Sequence, residues 1–212
     1  MNRETRDKFA KRTDQTDLTS GNACWQTAPK VFAKLEADFG PFDVDICGDT
    51  QRALKPVFFG PGSTYGEDAL MAKWTDVGSN GFCNPPYGPF VASLLAKAKA
   101  EAAVGMTSTH LLPMRVTRAF HAHILNGASD LLFCDKRLVF FEDDVPRLNE
   151  KSWREKGVLV ADTAMFDSII VRFTPGHRGG PNVGAWSVPE HVSADDLARA
   201  ERRLIKMFCE AA

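Results

Sequence analysis

A chain of 212 residues, 44% hydrophobic and 25% charged, can bury one sizeable core and is too ordinary in composition to be fibrous, collagenous or wholly disordered. Its formal net charge of −1 argues against a protein that coats nucleic acid through bulk charge, so any DNA or RNA contact must be local. No apolar run reaches the roughly 18 residues of a membrane span and residues 1–6 lead into no signal-peptide core, so the expectation is a soluble, cytoplasmic protein with no membrane partner.

Residues 1–20 are polar and charged without a sustained apolar period and read as a flexible N-terminal tail, which leaves residues 21–212 as a single domain. Order is expected to begin near Trp25. Thr27 stands where a helix cap belongs, Pro29 suits a first turn, and Val31, Phe32, Leu35 and Phe39 share one face up to Gly40-Pro41. Residues 42–47 alternate apolar and acidic side chains before Gly48, the pattern of a strand that delivers the Asp45 carboxylate to a sharp turn. Residues 50–79 are punctuated by Gly and Pro, with a short strand expected at 57–59 and a helical turn at 68–74.

A short buried strand at 81–83 runs into Asn84-Pro85-Pro86-Tyr87-Gly88. The helix that follows turns Phe90, Val91, Leu94, Leu95, Ala98 and Ala102 inward and ends at Gly105. Residues 107–112 form a strand stopped by Pro113. Thr117 caps a helix that presents Phe120, Ile124 and Leu125 to the core and closes at Gly127, and residues 130–134 are the next strand. Further strands are expected at 137–141, 157–161 and 168–173, pairing antiparallel at one end of the sheet, with residues 142–156 as a polar surface excursion. Ser193 and Asp196 resemble a capping box for a C-terminal helix whose Leu197, Leu204, Ile205 and Phe208 face inward. This alternation predicts an open α/β sheet. Ligands in such sheets sit beyond the carboxyl ends of the strands, which puts Asp45 and residues 84–87 on one edge.

Cys24, Cys47, Cys83, Cys134 and Cys209 are odd in number and far apart, and read as free thiols rather than a disulfide or zinc framework. His121 and His123 lie two apart on a predicted helix and so point to different faces; no metal site is expected. The local basic candidates are Arg115 with Arg118, Lys136 with Arg137, His177 with Arg178, and the series Arg199, Arg202, Arg203 and Lys206.

The chemistry is concentrated at residues 84–87. Two prolines after an asparagine remove two amide donors, stiffen the backbone and leave carbonyls free. The amino group on a planar ring or amide is a weak nucleophile because its lone pair is delocalised. The Asn84 side-chain oxygen and the Pro85 carbonyl can each accept one of its N–H hydrogens and direct that lone pair toward a donor methyl, while Tyr87 stacks on the ring. Stacking contributes about 1–3 kcal/mol per base, enough to offset much of the few kcal/mol that extrusion from a duplex costs. Methyl transfer from a sulfonium is an in-line displacement dominated by positioning and desolvation.

In order along the chain, Trp25-Gln26-Thr27, residues 39–45, Asp68-Ala69-Leu70 with Trp74, residues 83–88, residues 111–115, and Arg137-Leu138 with Phe140 resemble the phage-type DNA N-6-adenine-methyltransferase (Dam) family. The resemblance implies a Rossmann-like S-adenosylmethionine-dependent methyltransferase sheet with a reduced N-terminal half and antiparallel end strands. S-adenosylmethionine would be the donor and adenine N6 in DNA the acceptor, in host cytoplasm if the chain is phage-encoded. It makes Asn84, Pro85, Pro86 and Tyr87 the catalytic loop. Trp25, Thr27, Asp45, Cys47 and Asp68 become cofactor contacts, and Arg115, Arg118, Lys136 and Arg137 candidates for DNA contact. The family's Thr-Pro is Thr27-Ala28-Pro29 here, the glycine-rich cofactor turn is reduced to Cys47-Gly48-Asp49, and residues 165–168 replace a proline-containing stretch.

The tetrapeptide alone fixes only a planar amino acceptor, and cytosine N4, RNA guanine N2 and protein glutamine fit it as well. A non-catalytic DNA-binding or anti-restriction protein of the same fold is the reading from another class. Base readout is expected to fall to residues 136–156, and the oligomeric state is not legible.

Overall fold

A computed structural model describes residues 25–210, so the tail expected over residues 1–20 and Cys24 lie outside the described residues. Helix α1 spans Pro29–Phe39 and strand β1 Val44–Asp45; a 3-10 turn at Trp74–Asp76 precedes β2, Asn80–Cys83. Helix α2 covers Phe90–Ala103 and β3 Thr107–Pro113; a π-helix, Phe120–Leu125, leads to β4, Asp130–Cys134. A small hairpin of β5, Phe141–Glu142, and β6, Val145–Pro146, is followed by α3, Glu150–Lys156. Strand β7, Ser168–Phe173, β8, Asn182–Trp186, and α4, Ala194–Glu210, complete the chain.

The main sheet has six strands in the order β1-β2-β3-β7-β4-β8, and all run parallel except β7, which is antiparallel to both its neighbours. This mixed α/β sheet fits a Rossmann-like fold. The expectation of antiparallel strands at one end is corrected: the antiparallel strand is interior, between β3 and β4, and both end strands are parallel to their neighbours. β7 is apolar on both faces, with Ile169, Ile170, Val171 and Phe173 all buried, and a strand of that composition is stable only with neighbours and layers on both sides.

Alternate residues of each strand feed two cores. Cys83, Leu112, Ile169 and Val171 pack with α2 and the π-helix through Leu94, Leu95, Phe120 and Ile124. Phe82, Leu111 and Ile170 pack on the other face with Val31 and Leu35 of α1 and with Leu138, Phe140 and Phe141.

Several expectations change in detail. Thr27 does not cap α1; Ala28 holds that position without a side-chain bond. Only Val44 and Asp45 of residues 42–47 form a ladder, and residues 57–59 add a single bridge from Phe58 to Asp45. The helix after Thr117 is capped as expected, by Phe120 N–H to Thr117 Oγ1 at 3.3 Å, but winds as a π-helix. Of residues 137–141 only Phe141 belongs to a strand, as the first residue of β5, and residues 157–161 form none. They are joined to neighbouring loops by isolated bridges, Val139 to Thr163 and Leu148 to Ala161, and the apolar pattern at Leu138 and Phe140 reflects packing against α1. The excursion at 142–156 is ordered as the rest of the hairpin and α3, and the Gly-containing strand β8 was not expected. Ser193 and Asp196 form the capping box, with Ser193 N–H to Asp196 Oδ2 at 2.9 Å and Asp196 N–H to Ser193 Oγ at 3.2 Å. Along α4, Leu204 is buried but Ile205 is exposed, so the inward face is narrower than expected; Phe208's side chain lies outside the described residues.

Candidate active site at the carboxyl edge of the sheet

Because β1 and β2 are adjacent and parallel, with Asp45 opposite Phe82, the carboxyl ends of both strands open on one edge. A solvent-open cleft of about 570 Å³ lies there, and it gathers Trp25, Thr27, Asp45, Cys47, Asn84, Pro85, Pro86 and Tyr87. It also takes in Gln26, from the Trp25-Gln26-Thr27 motif, and Gly48 and Asp49, from the reduced cofactor turn, together with Arg52 and Leu54, which carried no sequence expectation. The Asp49 to Arg52 spacing closes a turn in which Asp49 accepts the amides of Gln51 and Arg52 and pairs with the Arg52 guanidinium at 3.3 Å. Gly60 presses on the same turn. A Cβ there would stand 2.0 Å from the Gly48 carbonyl oxygen, and its φ of +139° suits only glycine.

Asp45 is buried beneath the cleft, where its carboxylate accepts the amides of Leu54 at 2.9 Å and Cys47 at 3.2 Å. Desolvation pushes its pKa up to about 6 against the pull of those two donors. Cys83 is buried next to the catalytic candidates, and burial holds its thiol well above the usual range; Cys134 is pushed to about 12 for the same reason.

The Asn84 amide has a defined orientation. Its Nδ2 donates to Thr27 Oγ1 at 3.2 Å and more weakly to the Trp25 carbonyl at 3.4 Å, which directs Oδ1 toward Tyr87, whose hydroxyl donates to it at 3.0 Å. Desolvation keeps that phenol protonated far above its ordinary range. Thr27, expected as a cap, is therefore a partner of Asn84. Trp25 stacks on Phe140 and Phe166, with centroids 5.4 and 6.2 Å away, and the Tyr87 ring meets both of those edge-on. The Arg147 guanidinium lies 4.6 Å over the Trp25 ring, and Trp25 Nε1 is buried without a hydrogen-bond partner. Phe166 and Arg147 were missed in the sequence because they stand in loops with no period of their own.

Asp68 does not line the cleft; its exposed carboxylate accepts the Leu70 amide at 2.8 Å. Arg115 and Arg118 are exposed beyond β3 and line a second groove that shares Tyr87 with the cleft. Lys136 and Arg137 follow β4 on the same edge, in solvent-exposed pairs with Glu190 at 3.6 Å and Asp167 at 3.1 Å, weak enough to exchange for another anion. His177 and Arg178 lie in the loop from β7 to β8, at the opposite edge of the sheet because β7 runs the other way. Arg199 and Arg203 are paired with Asp196 and Asp143. Among the described residues no cluster of three or more metal-ligating side chains occurs, and no helix is long and apolar enough to cross a membrane.

Residues 15–172 match the family model described as DNA N-6-adenine-methyltransferase (Dam). No curated protein and no solved structure matches the chain.

Proposed function

The chain belongs to the DNA N-6-adenine-methyltransferase (Dam) family, and we propose that it transfers a methyl group from S-adenosylmethionine to N6 of adenine in DNA. The observation that carries this reading is the fixed Asn84 amide: with Nδ2 tied to Thr27 and Trp25, Oδ1 is the end that faces an incoming N–H. Asn84 Oδ1 and the Pro85 carbonyl accept the two amino hydrogens of the target, Tyr87 stacks on its ring, and the amine's lone pair is turned toward the cleft.

The cleft suits a zwitterionic sulfonium donor. Asp45 and Asp49 are acceptors for an ammonium or ribose hydroxyls, Arg52 is a counterion for a carboxylate, and the orphaned Trp25 Nε1 is a donor in need of an acceptor. Thr27 and Cys47 complete the wall. When bound, this cofactor supplies an electrophilic methyl. The chain's own residues orient the amine, exclude water and accept hydrogen bonds that strengthen as positive charge develops on the nitrogen. Arg115, Arg118, Lys136 and Arg137 are assigned to the DNA backbone, which local positive charge can serve in a chain of net charge −1.

The test is transfer of labelled methyl from S-adenosylmethionine to unmethylated DNA, with nucleoside analysis of the digest. N6-methyladenine is the expected product. Label at cytosine N4 would keep the site and change the acceptor. Donor binding without transfer to DNA, RNA or protein would overturn the enzyme reading in favour of a non-catalytic DNA-binding protein.

A further inference from the structure

Tyr87 is a wall between two concavities. On its far side from the Asp45 cleft lies a groove of about 1030 Å³, bounded by the first turns of α2, the end of β3 and the π-helix. Its floor is apolar, made by Leu95, Leu112, Phe120 and Ile124, and Ala92 stands half-buried on the α2 side. Its rim carries Arg115 and Arg118, both exposed, and neither has an ion pair among the described residues. The combination is uneven in a specific way: an apolar floor suited to the face of a ring, and two unneutralised guanidiniums at one side suited to a phosphate. Among the described residues, no acidic side chain lines it. A nucleotide has those two parts in that arrangement, and a strand whose target base stacks on Tyr87 must continue past that residue.

We propose that this groove holds the nucleotide adjoining the target adenine in the same strand, its base on the apolar floor and its phosphate between Arg115 and Arg118. The inference rests on the DNA-methylating reading of the neighbouring cleft. It adds a binding site for a second nucleotide, so the protein grips the strand on both sides of Tyr87. Part of the sequence preference then comes from what fits the groove rather than from the methylated base alone. The wide turns of the π-helix, a geometry often found at functional sites, form the wall opposite α2.

The test uses the full chain and a single-stranded oligonucleotide with one target adenine. DNA affinity is measured across a salt series, and S-adenosylmethionine affinity separately. Arg115→Ala and Arg118→Ala are expected to weaken DNA binding and to lower the slope of log affinity against log salt, by about 0.7 for each single-strand phosphate that is no longer neutralised. S-adenosylmethionine affinity stays at the wild-type value. Ala92→Phe fills the groove without changing charge; it is expected to weaken DNA binding about tenfold with the salt slope intact. An abasic neighbour should weaken binding to the wild type but not further to Ala92→Phe. An unchanged salt slope in both arginine variants, or an equal abasic penalty in wild type and Ala92→Phe, overturns the proposal while methyl transfer by the wild type leaves the cleft assignment standing. A wild type that binds S-adenosylmethionine but neither binds nor methylates DNA overturns both.

Discussion

The Tyr87 hydroxyl donates to Asn84 Oδ1 at 3.0 Å, so the atom assigned to receive the target amine already holds an internal donor. That hydroxyl takes one of the oxygen's two lone pairs and competes with the incoming amine for it. Tyr87→Phe removes that competitor and keeps the ring. With a net hydrogen-bond contribution of about 1 kcal/mol, the KM for DNA is expected to fall about fivefold, whereas Tyr87→Ala, which removes the stacking surface, abolishes transfer. Steady-state kinetics on both variants checks this; a KM unchanged or raised in the Phe variant would show that the hydroxyl is not a placeholder.

Thr27 fixes which end of the Asn84 amide faces the target. Thr27→Val preserves the shape but leaves Nδ2 with only the long 3.4 Å contact to the Trp25 carbonyl. The expected outcome is a kcat about tenfold lower at saturating donor and DNA, corresponding to roughly 1.4 kcal/mol, with thermal stability near wild type. Thr27→Ser, which keeps the oxygen, should restore most of the rate. Equal losses in both variants would point to packing instead.

Asp45 introduces a pH dependence with a defined sign. Its pKa of about 6 in the fold lies above the ordinary 3.8, so the folded protein binds an extra proton between those values. The stability this contributes is present at low pH and is lost as pH rises through 6, on the order of 3 kcal/mol in all. If Asp45 holds the donor's ammonium as proposed, its ionised form is the binding form and the dependence runs the other way: S-adenosylmethionine affinity is expected to drop up to tenfold per pH unit below pH 6. Calorimetric titration from pH 5 to 8 should give that slope in wild type and a flat, weaker profile in Asp45→Asn.

His110 carries the opposite dependence. It is fully buried within β3 beside Trp74 and Phe173, with Nε2 against Ser108 Oγ at 2.9 Å and Nδ1 unpartnered. Desolvation lowers its pKa to about 3 from the ordinary 6.5. The neutral ring's stability is complete above pH 6.5 and is lost as pH falls toward 3, roughly 5 kcal/mol over that window. Denaturant titrations of His110→Leu at pH 7 and pH 4 should therefore differ by less than those of wild type; an unchanged difference would assign acid lability elsewhere.

Much of the site was legible because it lies where the sequence is most constrained. Asn84 to Tyr87 follow a buried strand and precede an amphipathic helix, and the alternation at residues 42–47 leads to Asp45, so strand adjacency alone predicts that they meet. What the sequence hid is made by contacts between distant loops. Thr27 reads as a cap by local rules, but in the fold its hydroxyl serves Asn84, 57 residues away. Phe166 and Arg147 reach the site from segments without periodicity. β7 reads as an end strand because its pairing partners cannot be told from its own apolar composition, and β8 has no clear signature because Asn182 and Gly184 weaken its strand pattern.

The central place of β7 also sets the order in which the molecule can be assembled. β3 and β4 are neighbours in the chain but do not touch as strands; each waits for residues 168–173, and until those are synthesised both present open hydrogen-bonding edges. Fragments that stop before residue 168 therefore lack the strand that joins the half bearing Asn84 to the half bearing Lys136 and β8. The two halves of the sheet can therefore join only late in synthesis, and a premature stop before residue 168 leaves open strand edges prone to aggregation rather than a smaller working protein.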